Sequence, residues 1–337
     1  MIIKPIYHVF FFCAITSSVC SQVILEGKVV DQDSKQPIPF ANIGIAKANV
    51  GTVSNQDGSF LLRIPAHHAQ DSITFSSLGF RRVTLFIPSL EKPRELFIQL
   101  EEKPRLLREV YVIGKKTKAR TFSLGNTSMK GGTMEPDTLY AGRSVALLIE
   151  NQDPQPDQEF PLYLQSARIR ILRSNLALTR FRLRVNEMDE QTGLPGNDLL
   201  QRSVVVESDL KSGWLEFDLS DQSLVMTKPF FITFEQLTTR EDRTAIVNGY
   251  HQFMKVHPDW VRYDTVVFEG KKEVVQVFER KGIDLPGTYI AVAPVWQAFT
   301  CYVRETSLGE WKKVRGIVTA TATMSTQPSA EKKVKEP

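Results

Sequence analysis

Apolar and polar residues alternate with a period of two along most of this chain, the mark of strands that bury one face. Val23, Leu25, Gly27 and Val29 interleave with Ile24, Glu26, Lys28 and Val30, and Phe60, Leu62 and Ile64 with Leu61 and Arg63. Val83, Leu85 and Ile87 alternate with Arg82, Thr84 and Phe86, and Leu96, Ile98 and Leu100 close the series. Asp33-Ser34, Asn55-Gln56-Asp57-Gly58 and Leu78-Gly79 punctuate these runs with turn chemistry. About seven short strands are predicted in residues 23–100, enough for one sandwich.

Longer alternating runs resume after residue 141: Ala167, Ile169 and Ile171; Phe181, Leu183 and Val185; Leu215, Phe217 and Leu219; Phe230, Ile232 and Phe234. Val266-Val267-Phe268, Tyr289 to Ala293 and Cys301-Tyr302-Val303 follow as apolar runs. No stretch after the first 21 residues carries a sustained helical stripe. The expected fold is all-β, two antiparallel sandwiches, the second over 141–324 and of jelly-roll type. Residues 114–140, polar and rich in Gly, Thr and Lys, read as a linker, and residues 325–337 as a disordered tail.

Composition adds compartment more than chemistry. The chain has 337 residues, 24% charged and 42% hydrophobic, with a formal net charge of +4. That is ordinary for two globular domains and lacks the concentrated basic surface of a nucleic-acid binder. Residues 1–21 read as a secretory signal: Lys4, an apolar core around Val9 to Ile15, then small polar residues. That core is too short to span a bilayer, which takes about 20 helical residues. Cleavage after Ser21 leaves Gln22 as the mature terminus; acylation of Cys20 is the lipoprotein alternative, disfavoured by bulky Val19. Removal of the leader leaves Cys301 as the one cysteine, in an apolar run that suits a small buried hydrophobe better than a nucleophile. The protein is therefore expected to be exported, in the periplasm or associated with an outer membrane.

The order Gly27-Lys28-Val29-Val30-Asp31, Pro37-Ile38-Pro39-Phe40-Ala41-Asn42, Gly51 to Phe60 and Ser77-Leu78-Gly79-Phe80 resembles the carboxypeptidase regulatory-like domain. The resemblance covers residues 22–113 and implies a small transthyretin-like (prealbumin-like) sandwich at the front of a bacterial envelope protein. Leu107 to Gly114 resembles the segment that joins such domains to the plug of TonB-dependent transporters. No plug-like sequence follows, so transport is not implied. The second half, through Phe181 to Val185, Thr192 to Leu200 and Gly213 to Leu219, resembles a domain that accompanies these modules and implies no activity.

Candidate chemistry is sparse. Zinc hydrolysis needs three protein ligands and a base, and the histidines beyond the leader, His67, His68, His251 and His257, offer no such spacing. No Gly-x-Ser-x-Gly turn or phosphate-cradling loop is present. No cofactor is expected. Structural calcium is the exception to weigh, through Asp31, Asp33, Asn55 and Asp57 or through the loop Asn151, Asp153, Asp157 and Glu159; turn capping by Asp33 and Asp57 is the preferred reading of the first set.

Two surfaces stand out. Arg168 and Arg170 alternate with Ile169 and Ile171, and Arg180, Arg182 and Arg184 with Phe181, Leu183 and Val185. A hairpin at Arg173 to Ala177 would place five guanidiniums on one solvent face at a strand spacing of roughly 5 Å. Glu216, Asp218 and Glu235 would neutralise them, or an acidic glycan or lipid headgroup would. Tyr250, Trp260 and Tyr263, in a long connection, suggest a sugar-stacking surface, whereas Trp214 is expected in the core. The reading is a non-catalytic binding or assembly module whose partner is an envelope protein or glycan. Carbohydrate binding and a hydrolase built on Glu216 and Asp218 are the alternatives.

Overall fold

The computed structural model describes residues 23–46, 48–87, 95–103, 119–128, 133–134, 141–151, 159–256, 261–268, 271–278, 287–295 and 298–328. The expected signal at residues 1–21, Leu107 to Gly114, Asp153, Asp157, His257, Trp260 and residues 329–337 lie outside them. In chain order the first part holds β1 (Val23–Asp31), β2 (Asn42–Gly44), β3 (Gly51–Val53), β4 (Ser59–Ile64), β5 (Ser72–Ser76), β6 (Val83–Phe86) and β7 (Leu96–Leu100). The second holds β8 (Thr121–Asn126), β9 (Thr133–Met134), β10 (Ser144–Ile149), β11 (Leu162–Ser174), β12 (Thr179–Met188), β13 (Pro195–Asp198), β14 (Val204–Ser208), β15 (Gly213–Asp218), β16 (Leu224–Met226) and β17 (Phe230–Gln236). Then come helix α1 (Arg240–Val256), β18 (Val261–Phe268), β19 (Lys271–Phe278), β20 (Thr288–Ala293), β21 (Cys301–Arg304), β22 (Lys312–Lys313), β23 (Ile317–Val318) and β24 (Ala320–Ser325).

The described residues are all-β apart from α1 and one turn of 3-10 helix. In the first sandwich the sheets run β4-β1-β7 and β3-β2-β5-β6. The alternation read from the sequence fills the space between them: Leu25, Val29, Phe60, Leu62 and Ile98 from one sheet meet Ile43, Ile73 and Phe75 from the other. One pairing departs from the antiparallel expectation, because β1 and β7 run parallel. The first and last strands of the domain lie side by side and point the same way.

The second sandwich packs a sheet ordered β13-β12-β17-β10-β21-β22, with β14 on β12, against one ordered β23-β20-β11-β24-β8, with β15, β16 and β9 attached. Leu183, Val185, Ile232 and Phe234 of the former share one core with Ala167, Ile169, Leu215, Phe217 and Met324 of the latter. Residues 114–140 supply strands to this domain: β8 pairs along β24, and β9 pairs β20. Such short edge strands leave little periodicity to read.

Helix α1 corrects the expectation of a loop around Tyr250. Thr239 and Asp242 form a reciprocal cap: the Asp242 amide donates to Thr239 Oγ1 at 3.1 Å and the Thr239 amide to Asp242 Oδ2 at 3.0 Å. Glu241 and Asp242 in the first turn and Lys255 in the last complement the helix dipole. Ile246 is buried, while most of the other described positions are polar, which is why no stripe announced the helix.

Asp57 caps its turn as expected, but the first turn is capped by Asp31, with Asp33 supplying an amide and not the accepting carboxylate. Asp31 Oδ1 accepts the Asp33 and Ser34 amides at 2.8 and 2.7 Å, and Asp57 Oδ1 the Ser59 amide at 3.0 Å. Gly58 has φ +77°, and a Cβ there would lie 2.5 Å from the Val29 carbonyl oxygen; Gly79 has φ +89° with nothing within 4 Å. Gly58→Ala is expected to cost roughly 2–3 kcal/mol, from the left-handed backbone plus the clash, and Gly79→Ala only about 1–2. Urea-unfolding midpoints of the two variants check this, and equal losses would contradict it.

Candidate functional site

The expected arginine ladder is split between the two sheets. β11 and β12 do not pair: β11 lies beside β15, β16, β20 and β24, and β12 beside β13, β14 and β17. The connection from Ser174 to Thr179 crosses from one sheet to the other instead of turning as a hairpin. Leu176 is buried, and the hydroxyls of Ser174, Thr179 and Thr288 hydrogen-bond one another at 2.8–3.1 Å beneath the crossing. A core-seated leucine and three mutually satisfied hydroxyls favour a corner over an exposed turn.

The β12 arginines form a buried seam against the first sandwich. In register across the sheet stand Arg182 on β12, Glu235 on β17, Ser144 on β10 and Arg304 on β21. Arg182 grips Glu235 with two parallel bonds, Nε to Oε2 at 3.0 Å and Nη2 to Oε1 at 2.9 Å. Arg184 Nε reaches the same Oε2 at 2.9 Å, and Ser307 Oγ donates to Oε1. Arg184 also pairs with Asp198, Nη1 to Oδ2 at 3.3 Å. The other edge of the Arg182 guanidinium enters the first domain: Nη1 donates to the Phe40 carbonyl and Nη2 to Asn42 Oδ1, both at 2.7 Å. Glu235 is wholly buried, so the expectation that it lies on a solvated face is overturned.

The loop that meets Arg182 is built for the purpose. Phe40 sits at φ +54°, where a bulky residue is strained. Ser54 holds it there: its Oγ accepts the Ala41 amide and donates to the Ile38 carbonyl, each at 2.8 Å. The strained turn aims the Phe40 carbonyl at Arg182 and sends its side chain into an apolar cluster with Val53, Ala141 and Leu237. Gly142, at φ +92°, passes so close that a Cβ would overlap Ser307 Oγ and lie 3.2 Å from Glu235 Oε1.

Flanking contacts continue the seam. Arg180 meets Glu207 at 3.3 Å and Asp242 at 3.1 Å; Glu207 accepts Gln56 Nε2 at 2.7 Å, and Arg243 Nη1 donates to Thr52 Oγ1 at 3.0 Å. Two grooves of about 270 and 280 Å³ open where α1 crosses β3 and β4, sharing Leu61, Arg240 and Arg243.

The remaining expected residues are dispersed. Tyr250 is in α1, and Tyr263 is on β18, paired in register with Gln276 of β19. Arg168 and Arg170 lie on the outer side of the eight-stranded sheet beside Trp214, which is half-exposed there and not in the core. Glu216 and Asp218 are exposed on that open face. Cys301 is fully buried and burial pushes its thiol up to about 12, which suits packing and not nucleophilic attack. Among the described residues no cluster of three or more His, Cys, Asp or Glu is placed to hold a metal. Sequence reasoning missed Asn42, Phe40 and Asp198 as partners of the arginines; the first two lie within the Pro37 to Asn42 motif.

Residues 25–112 match the family model of the CarboxypepD_reg-like domain. No curated protein matches the chain. Among solved structures the chain is similar to one from infectious bursal disease virus, Gx strain, at 7% identity, covering 92% of this chain and 61% of that one, with a TM-score of 0.22. The VP2 subviral particle of infectious bursal disease virus gives 10%, 90%, 63% and 0.17. The chain spans less than two thirds of either, and superpositions at that level carry no argument.

Burial alone would raise the Glu235 carboxyl, but Arg182 and Arg184 override it and hold it far below the usual carboxylate range. A carboxyl depressed on folding stabilises above its unfolded value, about 4.3, and that stability drains as pH falls toward the folded value. Glu235→Gln, leaving two buried guanidiniums short of a counter-charge, is expected to cost about 3–5 kcal/mol at neutral pH. Urea midpoints measured from pH 7 to 3 should show the gap between wild type and variant narrowing below about pH 4.5. A gap independent of pH would rule out the charged seam.

Proposed function

We propose that this chain, with a CarboxypepD_reg-like domain at 25–112, is a non-catalytic module of the bacterial cell envelope that works by binding or assembly. The observation that carries this reading is the Arg182–Glu235–Arg184 seam. Its charged groups are consumed in joining two sandwiches, and Glu235 is buried out of reach of a substrate. Such a seam turns two domains into one stiff body that presents its outer faces. The first sandwich serves as a docked spacer, and the second carries the interaction surface.

The hydrolase reading fares less well on the same geometry. Glu216 and Asp218 stand two residues apart on an exposed sheet face. A general acid works where burial or a neighbouring charge raises its carboxyl, normally within an enclosing cleft. In one of the two grooves beside α1 the lining Ser59 hydroxyl donates to Asp57 Oδ1 at 2.6 Å.

Export is part of the proposal and rests on residues 1–21. The test is to express the full chain in a Gram-negative host, fractionate the cells and sequence the N-terminus by mass spectrometry. The expected product starts at Gln22, or at a lipidated Cys20, in the periplasmic or membrane fraction. Recovery from the cytoplasm with Met1 to Ser21 attached would overturn the envelope assignment.

A further inference from the structure

The other half of the arginine pattern is chemically different from the seam. Arg168 and Arg170, two residues apart on β11, hold their guanidinium carbons 4.6 and 6.0 Å from the centre of the Trp214 ring. The sheet register accounts for the cluster: Trp214 lies opposite Arg170, Glu216 opposite Arg168 on β15, and Thr321 opposite Arg168 on β24. Arg168 Nε donates to Thr321 Oγ1 at 3.0 Å. Neither arginine makes an ion pair among the described residues, and Arg170 Nε is buried with no hydrogen-bond partner. Glu216, directly across from Arg168, accepts instead from Ser166 Oγ at 3.1 Å.

Two like charges this close, half-removed from water, are a standing electrostatic cost. In the seam the same residue type has every acid it needs; here the fold supplies an aromatic platform and leaves the in-plane N–H groups unpaired with carboxylate. A guanidinium laid against an indole is held flat and preorganised for fork-like contact with an acid. On the same face stand Ser166, bonded to Glu216, and, opposite Ser166 on the two flanking strands, Asp218 and Thr323, polar groups of the kind that exchange hydrogen bonds with hydroxyls.

We propose that this face binds an acidic glycan, a polysaccharide whose sugar rings carry carboxylates. The carboxylates meet Arg168 and Arg170, while sugar hydroxyls donate to Glu216 and Asp218. Those two exposed acids argue against an anionic membrane, whose unbroken negative surface they would repel. They suit a polymer in which carboxylates alternate with hydroxyls. An open sheet face also fits a long chain better than a small molecule, which requires enclosure. The inference rests on the binding reading above and gives it a ligand class.

The experiment is titration calorimetry of the exported chain with an oligogalacturonate, a neutral cello-oligosaccharide and phosphatidylglycerol vesicles as probes. The expected result is oligogalacturonate binding that weakens with salt and falls at least about tenfold in R168Q/R170Q, with an unchanged circular-dichroism melt. If the double variant fails to fold, R168K and R170K keep the charges and lose the fork, and each should bind severalfold more weakly. No binding, equal binding of the neutral sugar, preference for vesicles, or full binding by the arginine variants would overturn the proposal. Reducing-end release over time separates the two readings: new ends contradict the non-catalytic role, whatever the arginine variants do to affinity.

Discussion

A carboxylate removed from water in the middle of a sheet face is the constraint around which the rest of this molecule is arranged. Glu235 has no solvent exposure, and an isolated buried ion of that kind costs several kcal/mol. Arg182 and Arg184 cancel the charge, but they are then buried cations whose remaining N–H groups need acceptors. Asp198 takes one, and the Phe40 carbonyl and Asn42 amide oxygen of the first sandwich take others. Charge neutralisation and domain docking are thus one event. The net gain in stability from such a cluster is modest, since an apolar interface of equal volume would serve as well. What the cluster adds is directional contact: the Phe40 carbonyl accepts from Arg182, and Asn42 Oδ1 from both guanidiniums.

That contact explains a strained residue. Phe40 occupies a left-handed backbone conformation that bulky side chains avoid, and the Ser54 hydroxyl bridges its flanks to keep it there. The strain is maintained because releasing it would swing the carbonyl off Arg182 and withdraw Phe40 from the cluster with Leu237. A motif that looks like a turn in one domain is therefore also half of an interface with the other.

Two nearly identical patterns, Arg-x-Arg on β11 and Arg-x-Arg-x-Arg on β12, end in opposite environments. On β12 the outward face is covered by the first sandwich, so the arginines are buried and paired. On β11 the outward face is open, and Trp214 beside it supports the guanidiniums in place of carboxylates. The two rows differ in what lies over them, which is a property of the assembled chain.

Much of the architecture was legible. Seven strands of the first sandwich, the Asx turn at Asp57 and the burial of Cys301 all follow from local chemistry, whereas the first turn is capped by Asp31 and not by the expected Asp33. Helix α1 was not, since one buried isoleucine in a mostly polar segment makes no stripe; the Thr239 to Asp242 capping pair was the available signal. Alternation tells each side chain which side of its own strand it occupies, because pleating is set by neighbouring residues. It says nothing about which strand lies alongside, or what comes to rest on the far face. Those were decided by contacts between residues some 140 positions apart, such as Asn42 with Arg182. Only the packed structure brings them within reach, because hydrogen bonding and charge pairing act over a few ångströms of space irrespective of sequence separation.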